Sequence, residues 1–209
     1  MPVITAIKPQ KKKEKFNIFL DGKFAFSLPS ETLVKEGLHA DQEISRERVE
    51  ELIKESELGS IFDKVLKFLS FRPRSEFEIN EYLLRKKVGE ETRKMVRQKL
   101  KALKLIDDEA FAQWWIEQRS TFRPSGVRLV KYELRRKGIA EELIKRLLAE
   151  ERPKEVDIQL AEKLAQKKLV RLTNLPPGEV KQKLYAALAQ KGFSFETIEE
   201  TVAKILKKR

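Results

Sequence analysis

Cysteine is absent from this 209-residue chain, which excludes disulfides, zinc–thiolate sites and cysteine nucleophiles together. Histidine occurs once, at His39, in a predicted turn after Gly37, where a surface role fits better than general-base catalysis. The eight glycines all stand apart from one another, so neither a phosphate-cradling loop nor a dinucleotide fingerprint exists. No apolar run approaches the ~20 residues of a membrane span, and Met1-Pro2-Val3-Ile4-Thr5 carries no secretory pattern. These absences lead us to expect a soluble cytoplasmic protein that is not an enzyme and holds neither metal nor cofactor.

Positive charge is abundant. The net charge is +12, and its distribution is uneven. Residues 1–58 hold 10 Lys/Arg against 11 Asp/Glu, residues 59–150 hold 22 against 14, and residues 151–209 hold 13 against 8. The surplus therefore lies wholly in the last three-quarters of the chain and points to an anionic partner, nucleic acid or a protein filament coating it.

The first 30 residues read as β structure. Asp21-Gly22 separates the aromatic-rich arms Phe16–Leu20 and Phe24–Leu28, and a type I′ hairpin turn needs positive φ at both central residues. Val3–Ile7 supplies a third strand, joined by the basic run Lys11-Lys12-Lys13. A short helix is predicted from about Ser30 to Glu36, a return to the sheet over Leu38–Ile44, and a helix capped by Ser45 running through Ile53.

From Gly59 onward the period is helical and the pattern recurs. Leu83, Leu134 and Leu188 lie 51 and then 54 residues apart. Each opens a similar string: Leu83-Leu84-Arg85-Lys86-Lys87-Val88, Leu134-Arg135-Arg136-Lys137-Gly138-Ile139 and Leu188-Ala189-Gln190-Lys191-Gly192-Phe193. Helices that stop at Gly and restart on an acidic first turn mark a helical repeat array. The stripe Phe62, Val65, Leu66 and Leu69 gives a first helix ended by Pro73, and Ser75-Glu76-Phe77-Glu78 opens the next with a capping box. Ile79 and Leu83 face inward on that helix, and Val96, Leu100 and Leu103 mark the one after it. Phe111, Trp115 and Ile116, then Val130 and Leu134, then Leu143, Ile144, Leu147 and Leu148 build a second unit. Leu160, Ala161 and Leu164, then Val180, Leu184 and Leu188, then Ile198, Val202 and Ile205 build a third. Trp114 lies off the Phe111 stripe and is expected to pack between repeats.

The predicted fold class is mainly α, a tandem array of three three-helix modules behind a small β-rich domain with a hairpin. The expected boundaries are 1–58, 59–106, 107–152 and 153–209. Acid pairs such as Glu90-Glu91, Asp107-Asp108 and Glu141-Glu142 fall at helix starts, where the macrodipole accounts for them.

The cations are the candidate binding residues. Arg72 and Arg74 precede the middle helix of the first module; Arg119, Arg123 and Arg128 surround that of the second. Positive charge at a helix start opposes the dipole and asks for an external anion or a nearby carboxylate such as Glu76, Glu78 or Glu117. Arg85 and Lys86, with Arg135, Arg136 and Lys137, end their helices, where positive charge is locally favourable, and form two basic patches.

With these residues in view, the chain resembles the RecX family of recombinase regulators. The resemblance is strongest where Ile106-Asp107-Asp108-Glu109-Ala110-Phe111-Ala112 leads through Arg119 and Gly126 to Glu133-Leu134-Arg135-Arg136-Lys137-Gly138-Ile139. Arg72-Pro73-Arg74-Ser75-Glu76 and Lys191-Gly192-Phe193 match the first and third repeats of that family. Lys87 departs from the pattern, since the first repeat often has Gly there, and the third repeat is weakly patterned.

The resemblance implies three tandem modules that lie in the groove of the RecA filament on DNA and suppress ATP hydrolysis and strand exchange. It places the chain in homologous recombination, DNA repair and the SOS response. The implied partners are the RecA filament and single- or double-stranded DNA, reached directly or through RecA. Apart from the resemblance, a finished array needs no partner chain and no apolar run spans a membrane, so a monomer away from membranes is expected. The competing reading is a direct DNA-binding protein of helix-turn-helix-like modules.

Overall fold

A computed structural model describes residues 1–10, 15–172 and 174–207. The basic run Lys11-Lys12-Lys13 lies outside the described residues. The chain divides into two compact units, Met1–Phe71 and Arg72–Arg209.

In the first unit, strands β1 (Ile4–Pro9), β2 (Lys15–Leu20) and β3 (Lys23–Pro29) form an antiparallel sheet in sequence order. Asp21 and Gly22 both take positive φ, 47° and 79°, as a type I′ hairpin turn demands. Helix α1 (Ser30–Lys35) ends near Gly37, which is left-handed at φ 60°. Ile4, Ile18, Phe26, Leu28, Ile44 and Leu52 form the buried core.

Leu38–Ile44 returns to the sheet without forming a strand: the Ile4 N–H donates to the Gln42 carbonyl (2.9 Å), the Asp41 N–H donates to the Ile4 carbonyl (2.8 Å) and Val3 bridges Glu43, while Asp41 turns left-handed at φ 64° and breaks the extended run. Helix α2 spans Arg46–Leu69 without interruption, capped by Ser45, whose Oγ accepts the Arg48 N–H. The expected stop at Ile53 does not occur. Residues 54–58 are helix-compatible, and a mid-helix glycine, here Gly59, costs only ~1 kcal/mol against alanine. Phe62 and Val65 are buried on this helix, but Leu66 is 37% exposed and does not join the stripe.

In the second unit, α3 (Glu76–Arg85) and α4 (Glu90–Ala102) bury Ile79, Leu83, Val96 and Leu100. Leu103 caps α4 and is exposed, contrary to its expected place in the core. The capping box at Ser75 is complete, since Ser75 Oγ accepts the Glu78 N–H and Glu78 accepts the Ser75 N–H. Helices α5 (Asp108–Thr121), α6 (Val127–Arg136) and α7 (Glu141–Glu151) enclose Phe111, Ala112, Ile116, Val130, Leu134, Ile144 and Leu147. Helices α8 (Lys154–Leu169), α9 (Pro177–Gln190) and α10 (Phe195–Lys207) enclose Ala161, Ala165, Val180, Leu184, Leu188, Ile198 and Val202. Trp114 packs against the core of its own module, 6.0 Å from Phe111.

The middle helices α3, α6 and α9 end alike, with left-handed residues at Lys87 (φ 57°), Gly138 (φ 76°) and Gly192 (φ 80°). At Gly138 a Cβ would collide with Phe77, and at Gly192 it would lie 2.5 Å from the Leu129 N and Cβ atoms. Lys87 is exposed, so a side chain fits there. The N-terminus of α9 differs from those of α3 and α6, because Pro176 is its N-cap and Pro177 its first residue.

Candidate functional site

The collisions at Gly138 and Gly192 mark joints between successive modules, and the two joints share one plan. The start of each middle helix sits on the glycine end of the next middle helix. In the first joint Ser75 Oγ donates to the Lys137 carbonyl (2.7 Å) and the Glu76 N–H donates to Asp108 Oδ1 (2.8 Å). In the second joint the Gly126 N–H donates to the Lys191 carbonyl (2.8 Å), the Arg128 N–H to the Gly192 carbonyl (3.2 Å), and the Val127 N–H to Asp157 Oδ2 (3.4 Å). Donors at a helix start, the Ser75 hydroxyl in the first joint and backbone N–H groups in the second, thereby meet orphan carbonyls at a helix end.

Charged side chains close the first joint. Glu78 takes two hydrogen bonds from Arg72 (2.6 and 3.0 Å) and one from Lys137 (2.8 Å). Burial pushes the Glu78 carboxyl up, but Arg72 and Lys137 outweigh it and hold its pKa at about 2. Beneath them lies Trp115, with Lys137 at 4.2 Å and Arg119 at 4.3 Å from the ring centroid. Its indole N–H donates to Glu133 (2.8 Å), which also accepts from Arg119 Nε (2.6 Å). Asp108 is pushed above its ordinary range mainly by burial.

The second joint is locked by a buried ion pair. The Arg152 side chain is fully buried and meets Asp157; it also donates to the Ser125 carbonyl (2.8 Å) and Ser120 Oγ (3.3 Å).

The expected binding residues therefore separate into two groups. Arg72, Arg119 and Lys137 are bound to internal carboxylates and build the joint, with Glu78 and Glu133 as partners. Burial holds the half-buried Arg74 below its ordinary range. Arg135 is exposed but forms a two-point pair with Glu141 (2.7 and 2.8 Å). Arg85, Lys86, Arg123, Arg128 and Arg136 are exposed and have no carboxylate partner among the described residues. Lys86 lies 5.8 Å from the Tyr82 ring, and Arg136 the same distance from Tyr132. His39 is exposed, its Nδ1 2.8 Å from the Ala40 carbonyl.

Sequence reasoning missed three further cations. Lys163 and Lys167 on α8 and Lys191 at the end of α9 line one cleft with Arg123. The signal was available in the i,i+4 spacing of Lys163 and Lys167 with no acid facing them, but only alignment of the joints brings Lys191 alongside.

Stacked three-helix modules, joined end to start through backbone groups and bearing unpaired surface cations, define a tandem helical-repeat protein. Family models match most of the chain: the regulatory protein RecX N-terminal domain over residues 2–45, and the RecX first, second and third three-helix domains over 62–100, 107–148 and 155–202. A regulatory protein RecX of Bacillus subtilis is 34% identical over 210 residues, covering 98% of this chain and 78% of the relative. One of Lactobacillus gasseri is 32% identical over 206 residues, covering 98% and 75%. A crystal structure of regulatory protein RecX superposes with a TM-score of 0.70 at 30% identity over all of both chains. A RecX structure from Lactobacillus salivarius shares the fold, with a TM-score of 0.62 at 22% identity over 73% of this chain and 97% of that one. This chain belongs to the RecX family of regulatory proteins.

Proposed function

We propose that the chain binds the groove of the RecA filament on DNA and lowers RecA ATPase activity, strand exchange and filament stability. The observation that carries this reading is the repeated joint. It sets the middle helices α3, α6 and α9 in fixed succession, and cations without carboxylate partners among the described residues stand on more than one module. Several weak contacts along a filament then act at high effective concentration, so a small protein can hold a long partner. Arg85, Lys86, Arg123, Arg128, Arg136 and, after release from Glu141, Arg135 supply the contacts to filament or DNA in this reading. Arg72, Arg119 and Lys137 support them by fixing the first joint. Membership of the RecX family supports the same partner.

The test is RecA ATPase on single-stranded DNA, titrated with this protein. A fall in rate at one molecule per several RecA subunits is the expected result, and charge reversal at Arg135 and Arg136 is expected to weaken it with the helical spectrum unchanged. Inhibition that needs enough protein to coat the DNA would instead favour direct competition for DNA, with its steep salt dependence.

A further inference from the structure

The two joints correspond position by position, and where they differ the second is left with unanswered charge. Arg72 and Arg123 each stand three residues before a middle-helix N-cap, Ser75 and Gly126. Glu78 and Leu129 each occupy the third helical position, and Lys137 and Lys191 each cap the next middle helix. Trp115 and Leu164 each stand seven residues beyond the aspartate that accepts the first helical N–H, Asp108 or Asp157.

In the first joint, Glu78 fills the space between the arginine and the lysine, over the Trp115 ring. In the second, leucines stand in place of both the carboxylate and the indole. A cleft of about 480 Å³ opens there, lined by Phe122, Arg123, Lys163, Leu164, Lys167 and Lys191, with no acidic side chain in its wall. None of these four cations has a carboxylate partner among the described residues, and Phe122 is 71% exposed.

We propose that this cleft binds the phosphodiester backbone of single-stranded nucleic acid, with an unpaired base against Phe122. The first joint supplies the template, since its matching arginine and lysine already hold an anion. The second joint doubles the charge by adding Lys163 and Lys167 on one face of α8. One carboxylate would neutralise a quarter of that charge and leave most of the volume empty, whereas a phosphodiester strand brings successive anions. An exposed aromatic ring at a cationic cleft is the arrangement that stacks unpaired bases. The inference deepens the filament reading and rests on it for its biological setting, because it gives the DNA within the filament a seat on this protein.

The experiment is fluorescence anisotropy of a labelled oligo-dT with the full chain across a salt series, without RecA. Lys163→Gln/Lys167→Gln is compared with Lys181→Gln/Lys183→Gln, an equal charge change at two exposed positions of α9. The cleft variant is expected to lose about tenfold in affinity and to flatten the salt slope by about 1.4, two contacts at ~0.7 each. Phe122→Ala is expected to lose severalfold with the slope unchanged. Leu129→Glu rebuilds the carboxylate of the first joint and is expected to weaken oligo-dT binding more than the α9 control does. Equal losses in the cleft and α9 variants overturn the assignment. So does cleft-dependent binding of poly-glutamate that oligo-dT fails to displace, which would make the ligand an acidic protein segment. RecA is absent throughout, so failure here leaves inhibition of RecA ATPase to be judged separately.

Discussion

Removing Arg152 is the sharpest perturbation of the joint between the second and third modules. Its guanidinium is out of contact with solvent, paired with an Asp157 side chain that is itself only 8% exposed, and it satisfies the Ser125 carbonyl. Arg152→Ala leaves Asp157 as a buried carboxylate whose remaining partner is the longer bond from the Val127 N–H (3.4 Å). Breaking one side of a buried pair costs about 3–5 kcal/mol, a large share of the ~5–15 kcal/mol that holds a domain together. The corresponding fall in Tm is about 6–20 °C for a unit of this size. Urea unfolding followed by helical circular dichroism measures it directly, the midpoint shifting down. Arg152→Met/Asp157→Leu, which removes both charges and keeps the volume, is expected to recover most of the loss, because an apolar pair escapes the desolvation penalty. A single variant that loses less than about 1 kcal/mol, or a double variant no better than the single, would refute the view that the pair's importance lies in mutual neutralisation.

Three further outcomes are expected. Gly126→Ala, whose Cβ would meet the Gly192–Phe193 backbone, should destabilise by more than about 2 kcal/mol, while Gly59→Ala, with open space around it, should gain up to about 1 kcal/mol by helix propensity; thermal melts distinguish them. Ser75→Ala removes both the N-cap acceptor for Glu78 and the donor to Lys137, and should cost about 2–3 kcal/mol in urea unfolding. The Glu78 pKa is lowered from an ordinary 4.5 to about 2, so its contribution is complete above pH 4.5 and is lost as pH falls through 2; wild type should lose more stability than Glu78→Gln over that window when both are titrated.

Much of the fold was legible in the sequence because its causes are local. The hairpin rests on Asp21-Gly22, the capping box on Ser75 and Glu78, and the helix stops on Gly138 and Gly192. Their second role was hidden, since a glycine that ends a helix reads the same whether or not another helix start presses on it. The same limit applied to the cations. Arg72 and Glu78 are six residues apart, but Lys137 reaches Glu78 across 59, so no local spacing revealed that Lys137 was already neutralised. Trp115 read as core and does pack against the core of its module, but its half-buried ring is also a platform for cations that no local spacing announced. Lys191 was passed over because its significance depends on Leu129 standing where the preceding module has Glu78.

The proline pair at the start of α9 has a consequence for engineering. Each existing joint takes hydrogen bonds from the cap residue and from the amide of the first helical residue, and Pro176 and Pro177 have no amide hydrogen to give. A duplicated middle module spliced between the second and third would find matching donors and acceptors on both of its neighbours. The same module grafted beyond the third would meet a helix start that lacks both of these donors, so lengthening by insertion keeps hydrogen bonds that extension would lose.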